Sequence, residues 1–236
     1  VAQVCRRGGG GGCEDGAVRA FKAQQLLKQQ DLAKEDTANG DRMFQDGQHA
    51  AAVKFYDKAE KADPGGTLQD SHLLYSNRAA CLLELGRYGQ AAADARRCCE
   101  MRPKWVQGHL LLARVHEESK DYVEMLRALL VAYDIDRANQ VGLSMMRDCL
   151  VQLLIQQKEG RANAFTTGQG AAARVQQDPE IREILSDTNV QRVLDAMNRK
   201  RDLTPLVEAM EADLAFCGRF GKLYASGVMV AGGGGG

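Results

Sequence analysis

Aromatic residues are scarce in this 236-residue chain, at 6% with a single Trp, a composition that suits helical packing better than a sandwich or a barrel. Charge of one sign is also missing. Thirty-one Lys and Arg balance thirty-one Asp and Glu, so no net field recommends nucleic acid or an anionic membrane as a partner. No apolar run approaches the roughly 18 residues that a membrane-spanning helix requires. The Gly-rich start lacks the apolar core of a signal peptide, so a cytoplasmic protein is the expectation. Histidines number only four, and the seven cysteines (Cys5, Cys13, Cys81, Cys98, Cys99, Cys149 and Cys217) are odd in number with no CxxC spacing. Neither a disulfide framework nor a zinc site follows, and no metal or cofactor is expected. Adjacent Cys98 and Cys99 would point about 100° apart on a helix, which suits buried small hydrophobes better than a redox pair. No Ser or Cys has a nearby His at a recognisable spacing, no Gly-rich loop follows a strand, and no paired carboxylates form a motif, so an enzyme is not expected.

What is present is a repeat. A 34-residue frame starting at Ala33 places Gly40 at position 8, Ala52 at 20, Tyr56 at 24, Ala59 at 27 and Pro64 at 32. These are tetratricopeptide positions. A second frame from His72 carries Ala79, Leu82, Ala91, Ala95, Cys98 and Pro103, and a third from Val106 keeps Ala113, Leu129 and Ala132 but has Arg137 in place of proline. Small residues at positions 8, 20 and 27 let paired helices approach closely, and a bulky residue at 24 fills the gap. Gly47 and Gly86 are expected to end the first helix of each pair in the left-handed conformation. An insertion around GGTLQ at 65–69 lengthens the first connection. Because each hairpin buries its apolar face only on the next, the array needs a cap. The segment 139–158 supplies Val141, Met145, Met146, Cys149, Leu150, Leu153 and Leu154 at helical spacing and is read as that capping helix.

Composition changes after the cap. EGRANAFTTGQGAAAR at 159–174 is small, Gly-containing and weakly periodic, which predicts a linker. Asp178 followed by Pro179 then marks a helix start. Apolar stripes follow at Ile181, Ile184 and Leu185, at Val190, Val193, Leu194 and Met197, at Leu203, Leu206, Val207 and Met210, and at Leu214, Phe216, Phe220, Leu223, Tyr224 and Val228, predicting four or five short helices. Short helices curling around a small core leave an apolar groove, and Leu and Met side chains suit varied amphipathic segments. The candidate groove residues are Ile184, Leu185, Val193, Leu194, Met197, Leu206 and Met210, with burial in the core as the alternative role for each. The expected organisation is therefore all-α. It comprises a flexible Gly-containing segment (1–30), a three-repeat tetratricopeptide domain with capping helix (31–158), a linker (159–176), a small helical domain (177–230) and a Gly tail (231–236). The Gly runs at 8–12 and 232–236 read either as linkers within a longer multi-module protein or as frayed ends.

The order of array, then DPEIREILSDTNVQRVLDAM, then GKLYASGVM resembles the last two modules of the stress-inducible Hop family, co-chaperones that link the seventy- and ninety-kilodalton heat-shock chaperones. The resemblance covers about residues 33–230, and its more specific parts are YSNRAA at 75–80, PKW at 103–105 and DPEIREILSD at 178–187. It implies that the second module is an aspartate-proline-rich, STI-type helical domain that handles unfolded clients. Thr188 departs from the family by standing where a second proline is usual, and RKRDLTPLVEAMEADL replaces a segment with further Asp-Pro or Asn-Pro pairs.

The resemblance also implies a two-carboxylate clamp that holds an EEVD-type C-terminal peptide on the concave face. Entry of such a tail strips its hydration, which charge-assisted hydrogen bonds must replace. Position by position, the first-repeat lysine falls on Thr37 and the first-repeat asparagine on Asp41. The second-repeat asparagine is retained as Asn77, while the third-repeat lysine becomes Gln107 and the third-repeat arginine Leu111. Every clamp cation is missing, and Asp41 would repel a carboxylate at short range. Arg114, one helical turn beyond Leu111, is placed to present a fork from a shifted position, or to pair with Glu117 or Glu118. Three functions are carried forward. The first is a non-enzymatic co-chaperone-like adaptor for a heat-shock chaperone or other peptide partner and for clients. The second is a chaperone-independent scaffold or shuttle with an altered groove. The third is the targeting tail of a larger enzyme such as a peptidyl-prolyl isomerase, phosphatase or ligase.

Overall fold

The computed structural model describes residues 12–66, 68, 70–159, 165–167, 175–200, 204–226 and 229–231, with side chains over 18–66, 68, 70–153, 155, 175–196 and 204–226. Its elements are α1 (Gly12–Gln45), α2 (His49–Ala62), α3 (Ser71–Glu84), α4 (Tyr88–Met101), α5 (Val106–Glu118), α6 (Tyr122–Ile135), α7 (Gln140–Glu159), β1 (Phe165–Thr167), α8 (Pro179–Ser186), α9 (Thr188–Lys200), α10 (Thr204–Ala212), α11 (Leu214–Ala225) and β2 (Met229–Ala231). The all-helical expectation holds apart from one short antiparallel ladder that pairs Phe165 with Ala231 and Thr167 with Met229. Among the described residues, no helix is long and apolar enough to cross a membrane.

The chain divides into two compact units, Val1–Leu85 and Gly86–Gly236. In the first unit, α1 packs on α2 and α2 on α3. The repeat logic is visible in one contact: a Cβ placed on Gly40 would come within 2.6 Å of the Tyr56 ring. Only glycine lets α1 approach a tyrosine on α2 so closely, and Tyr56 is fully buried beside Ala52 and Ala59. The helix α1 also corrects an expectation, because residues 12–30, read as flexible from the glycine run, continue it. AVRAFKAQQLLKQQ is rich in Ala, Gln, Lys and Leu and has no proline, and these propensities outweigh the glycines that precede it. The rest of that run lies outside the described residues, as does the terminal one.

In the second unit, α4, α5, α6 and α7 pack each on the next. Ala91, Ala95, Cys98, Ala113, Leu129 and Ala132 are all buried, as the repeat frames require. Gly108 plays the approach role here, since a Cβ at that position would sit 3.2 Å from Trp105 and 3.4 Å from Cys98 Sγ. Burial pushes the Cys98 thiol up to about 12 and the Cys99 thiol to about 11, so neither supplies a reactive thiolate near neutrality. In α7, Met146, Cys149, Leu150 and Leu153 are buried and Met145 packs against them. Val141 is corrected: it is 62% exposed, one position before the turn that enters the core. The side chain of Leu154 lies outside the described residues.

The C-terminal helices belong to this same core. Ile181, Ile184, Val190, Val193, Leu206, Met210, Phe216, Phe220 and Leu223 form one buried cluster with residues of α6 and α7. The residues on either side of the expected linker therefore share an interior. The sequence predicts the start of α8 correctly, because Asp178 Oδ1 accepts from the amides of Glu180 at 2.9 Å and Ile181 at 3.3 Å, with Pro179 next to it. Asp187 does the same for α9, accepting from Asn189 and Val190, so Thr188 serves at the first position in place of the family's proline.

Turn geometry separates the third repeat from the first two. Gly47 and Gly86 have φ of 71° and 68°, and the equivalent residue in the third repeat is Lys120, at φ 59°. Both Gly47 and Lys120 precede a residue whose amide reaches back five positions, Gln48 to the Met43 carbonyl and Asp121 to that of His116. This is the Schellman ending. Arg137 replaces the proline, yet Asp136 keeps an extended conformation because its carboxylate accepts from the Ala138 amide at 3.0 Å. A lysine in the left-handed region is strained relative to glycine. Lys120→Gly is accordingly expected to stabilise the chain by about 1 kcal/mol, raising the thermal midpoint by roughly 2–4 °C in a calorimetric scan.

Candidate peptide-binding face

The six candidate residues divide between the two units. Thr37, Asp41 and Asn77 lie in the first. Thr37 and Asp41, four apart on α1, share a helix face, and α3 packs against α1 and brings Asn77 to it. Asn77 Nδ2 donates to Asp41 Oδ1 at 3.0 Å, and the Tyr56 hydroxyl donates to the same oxygen at 2.8 Å. The retained clamp asparagine is thus already bonded to a carboxylate, one that the chain itself provides. Burial, and then the adjoining Asp41 carboxylate, push the Tyr56 phenol well above its ordinary range, so it remains a donor. The Thr37 hydroxyl donates at 2.7 Å to the Ala33 carbonyl in its own helix, a local bond that supplies no cation.

A cavity of about 550 Å³ opens beside these residues, lined by Lys34, Thr37, Asp41, Glu60, Asp63 and Asp70 among others. Its charge is mostly negative, the reverse of what a carboxylate tail requires. Arg78, the fourth residue of YSNRAA, offsets only the Glu60 part of this charge. Its side chain, 8% exposed, bonds Asp57 at 3.0 Å and Glu60 at 2.6 Å and so ties α3 to α2.

In the second unit, α5 carries Gln107 and Arg114 exposed and Leu111 half-buried. Arg114 forms no hydrogen bond or ion pair among the described residues. The expected pairing with Glu117 or Glu118 is not made; burial, Glu118 and Asp148 raise the Glu117 carboxyl, and the charge of Arg114 only opposes them from a distance.

The seven client-groove residues are mostly interior. Ile184, Val193, Leu206 and Met210 are buried, so they present no surface to a client in this arrangement. Leu185 and Leu194 are half-buried against the same core, and the side chain of Met197 lies outside the described residues. Absent from the sequence-based expectations is an ionic group around Tyr133 of α6. Lys222 Nζ lies 2.5 Å from Asp134 and 2.7 Å from Glu180, and Arg137 lies 2.7 Å from Glu180. Burial pulls the Lys222 ammonium down, but hydrogen bonds to Asp134 and Glu180 outweigh it and leave the group above its ordinary 10.5. With the folded value raised, this stabilisation is complete below the ordinary value and is lost as pH climbs through the folded one. The only sequence signal was the lysine of GKLY, and its partners are distant in the chain. Among the described residues, no group of three or more His, Cys, Asp or Glu gathers as a metal site.

The Asp41 network yields a stability prediction. Asp41→Ala leaves Tyr56 and Asn77 without their acceptor and is expected to cost about 1–2 kcal/mol in denaturant unfolding. Thr37→Ala loses only a local bond and should stay within about 0.5 kcal/mol of the parent.

No family model matches the chain. Among curated proteins it is 31% identical over 181 residues to the Hsp70-Hsp90 organizing protein of Triticum aestivum, covering 74% of this chain and 30% of that protein. It is 32% identical over 182 residues to Hsp70-Hsp90 organizing protein 1 of Glycine max, with the same two coverages of 74% and 30%. To Stress-induced-phosphoprotein 1 of Caenorhabditis elegans it is 29% identical over 168 residues, covering 71% of this chain and 48% of that protein. The chain therefore spans between about a third and a half of these relatives. Among solved structures, the Hsp90 co-chaperone Cns1 of Saccharomyces cerevisiae superposes with a TM-score of 0.50 at 20% identity, over 70% of this chain and 50% of that one, a likeness of fold. The chain is thus a tetratricopeptide protein related over three quarters of its length to the Hsp70-Hsp90 organizing, stress-induced proteins.

Proposed function

We propose that this chain is a non-enzymatic, co-chaperone-type adaptor acting in the cytoplasm. Its tetratricopeptide helices receive a peptide from a heat-shock chaperone of the seventy- or ninety-kilodalton class, or from another protein partner. Its STI-type C-terminal helices receive apolar segments of unfolded clients. Relatives named as organizers of two chaperones support the adaptor role, as does the order of repeats followed by Asp-capped short helices. On this reading residues 31–158 are the peptide-binding module and 177–230 the client module.

One observation supports a reading of how the peptide is recognised. Asn77, the single clamp residue retained, donates to Asp41 at 3.0 Å, and the neighbouring cavity is lined by carboxylates. A terminal carboxylate arriving there would meet like charge and an amide with one N–H already engaged. The face of the first unit is therefore proposed to recognise its partner through side chains and backbone of an internal segment; in the second unit, Gln107, Leu111 and Arg114 of α5 are proposed as peptide-contacting residues in their own right. This favours the scaffold variant of the adaptor, in which chaperone tails are not the main ligand.

Calorimetric titration with a peptide ending in MEEVD, free or amidated at its C-terminus, tests the reading. For the unaltered chain, amidation is expected to change affinity by less than about threefold, or about 0.7 kcal/mol. In the double variant Thr37→Lys, Asp41→Asn, the free acid is expected to bind at least about tenfold more tightly than the amide. A loss of about tenfold or more on amidation with the unaltered chain would restore the clamp reading.

A further inference from the structure

The client reading of the C-terminal helices treats their apolar stripes as the lining of a groove. In the folded chain that lining already has an occupant. Both α10 and α11 lie against α7, and Met146, Cys149, Leu150 and Leu153 of α7 are buried in one cluster with Ile184, Val193, Leu206 and Met210. The stripe that α7 inserts is Met- and Leu-rich, the same chemistry that an amphipathic client segment would bring.

Two glycines of α11 allow the close fit. A Cβ on Gly221 would lie 3.0 Å from Met146 Sδ, and one on Gly218 would lie 2.4 Å from the Tyr133 ring. Beside this apolar contact the packing is incomplete. A cavity of about 280 Å³ remains among Tyr133, Arg137, Glu180, Asp187, Arg219 and Lys222. Within this group Arg219 Nε makes no hydrogen bond but lies 3.6 Å from Asp187 Oδ2, and its Nη2 pairs with Asp213 at 2.9 Å. A void weakens an interface. The ion pairs of Lys222 and Arg137 with Glu180 and Asp134 recover hydration when they separate, so opening costs less than parting a wholly apolar core. The contact is thus built to close and also to release.

We infer that α7 is the resident ligand of the client module: docked, it closes the groove, and an unfolded client segment of similar amphipathic character takes its place when α10 and α11 lift from α6 and α7. This rests on the client-binding reading. The array's cap and the module's guard are then one helix, and client loading uncovers the end of the array.

The test uses the full chain and a permanently unfolded probe, reduced and carboxymethylated α-lactalbumin. Two variants open the contact: Lys222→Met removes the centre of the ion group without adding bulk, and Gly218→Ala drives a methyl into Tyr133. Hydrogen exchange reports whether α7 amides become exposed while α8 and α11 stay protected. The expected result is faster exchange in α7 and at least about tenfold tighter probe binding in Lys222→Met than in the unaltered chain. A peptide of residues 139–158 should displace the probe from both proteins. If the unaltered chain binds the probe as tightly as the opened variant, α7 does not occlude the groove and the inference falls while client binding stands. If α7 opens and neither protein binds the probe, client binding itself fails, and the inference with it. Should both variants unfold α8–α11 altogether, displacement from the unaltered chain decides: no displacement by the 139–158 peptide overturns the proposal.

Discussion

Several helix contacts among the described residues depend on a small residue placed where its neighbour carries a larger one. Gly40 against Tyr56 is the tightest example in the first unit, and Gly108 against Cys98 and Gly218 against Tyr133 repeat the device in the second. Close approach buries apolar faces that a single hairpin would leave exposed, and dispersion falls off steeply with even a half-ångström gap. The alanines at the remaining repeat positions are buried for the same reason. The fold is therefore specified more by where side chains are absent than by where they are large, which is how a chain with so few aromatics can form two well-packed units.

The same tight packing shapes the candidate site. Tyr56 fills the space that Gly40 leaves, and its hydroxyl emerges beside Asp41. There it shares a carboxylate oxygen with Asn77. The face at which the family resemblance implies a ligand carboxylate here contains one of the chain's own. On the clamp reading that the family resemblance implies, Thr37 in place of a lysine and Asp41 in place of an asparagine act in the same direction: the first offers an anion no attraction, and the second repels it and engages one N–H of Asn77. The proposed adaptor role is compatible with this arrangement, because a helical array can recognise peptides without reading their termini.

Much of the architecture was legible in the sequence because its signals are local or periodic. The prolines at 64 and 103, the alanines of the three frames and the Asp178–Pro179 helix start all mark their structural roles. The misses have physical causes. Lys120 does not look like a turn residue, yet it adopts the left-handed conformation held by glycine in the other two repeats. The helical start of α1 was hidden by the glycines before it, although AVRAFKAQQLL has strong helix propensity. The expected linker hid a shared core, since burial of Leu206 or Met210 against α7 depends on tertiary contact that no spacing reveals. The Asn77–Asp41 bond joins residues 36 apart. The family resemblance implies an altered clamp, and only the folded geometry shows that Asn77 donates to Asp41.

The central claim is that Asp41 holds Asn77 and closes the carboxylate site from within. It is tested most directly by following the side-chain amide of Asn77 by NMR while a free-acid peptide ending in MEEVD is added to saturation. The account predicts that the Asn77 Nδ2–H₂ signals stay where they are in the unaltered chain and move only in Asp41→Asn. A large shift in the unaltered chain, abolished by amidating the peptide, would contradict it.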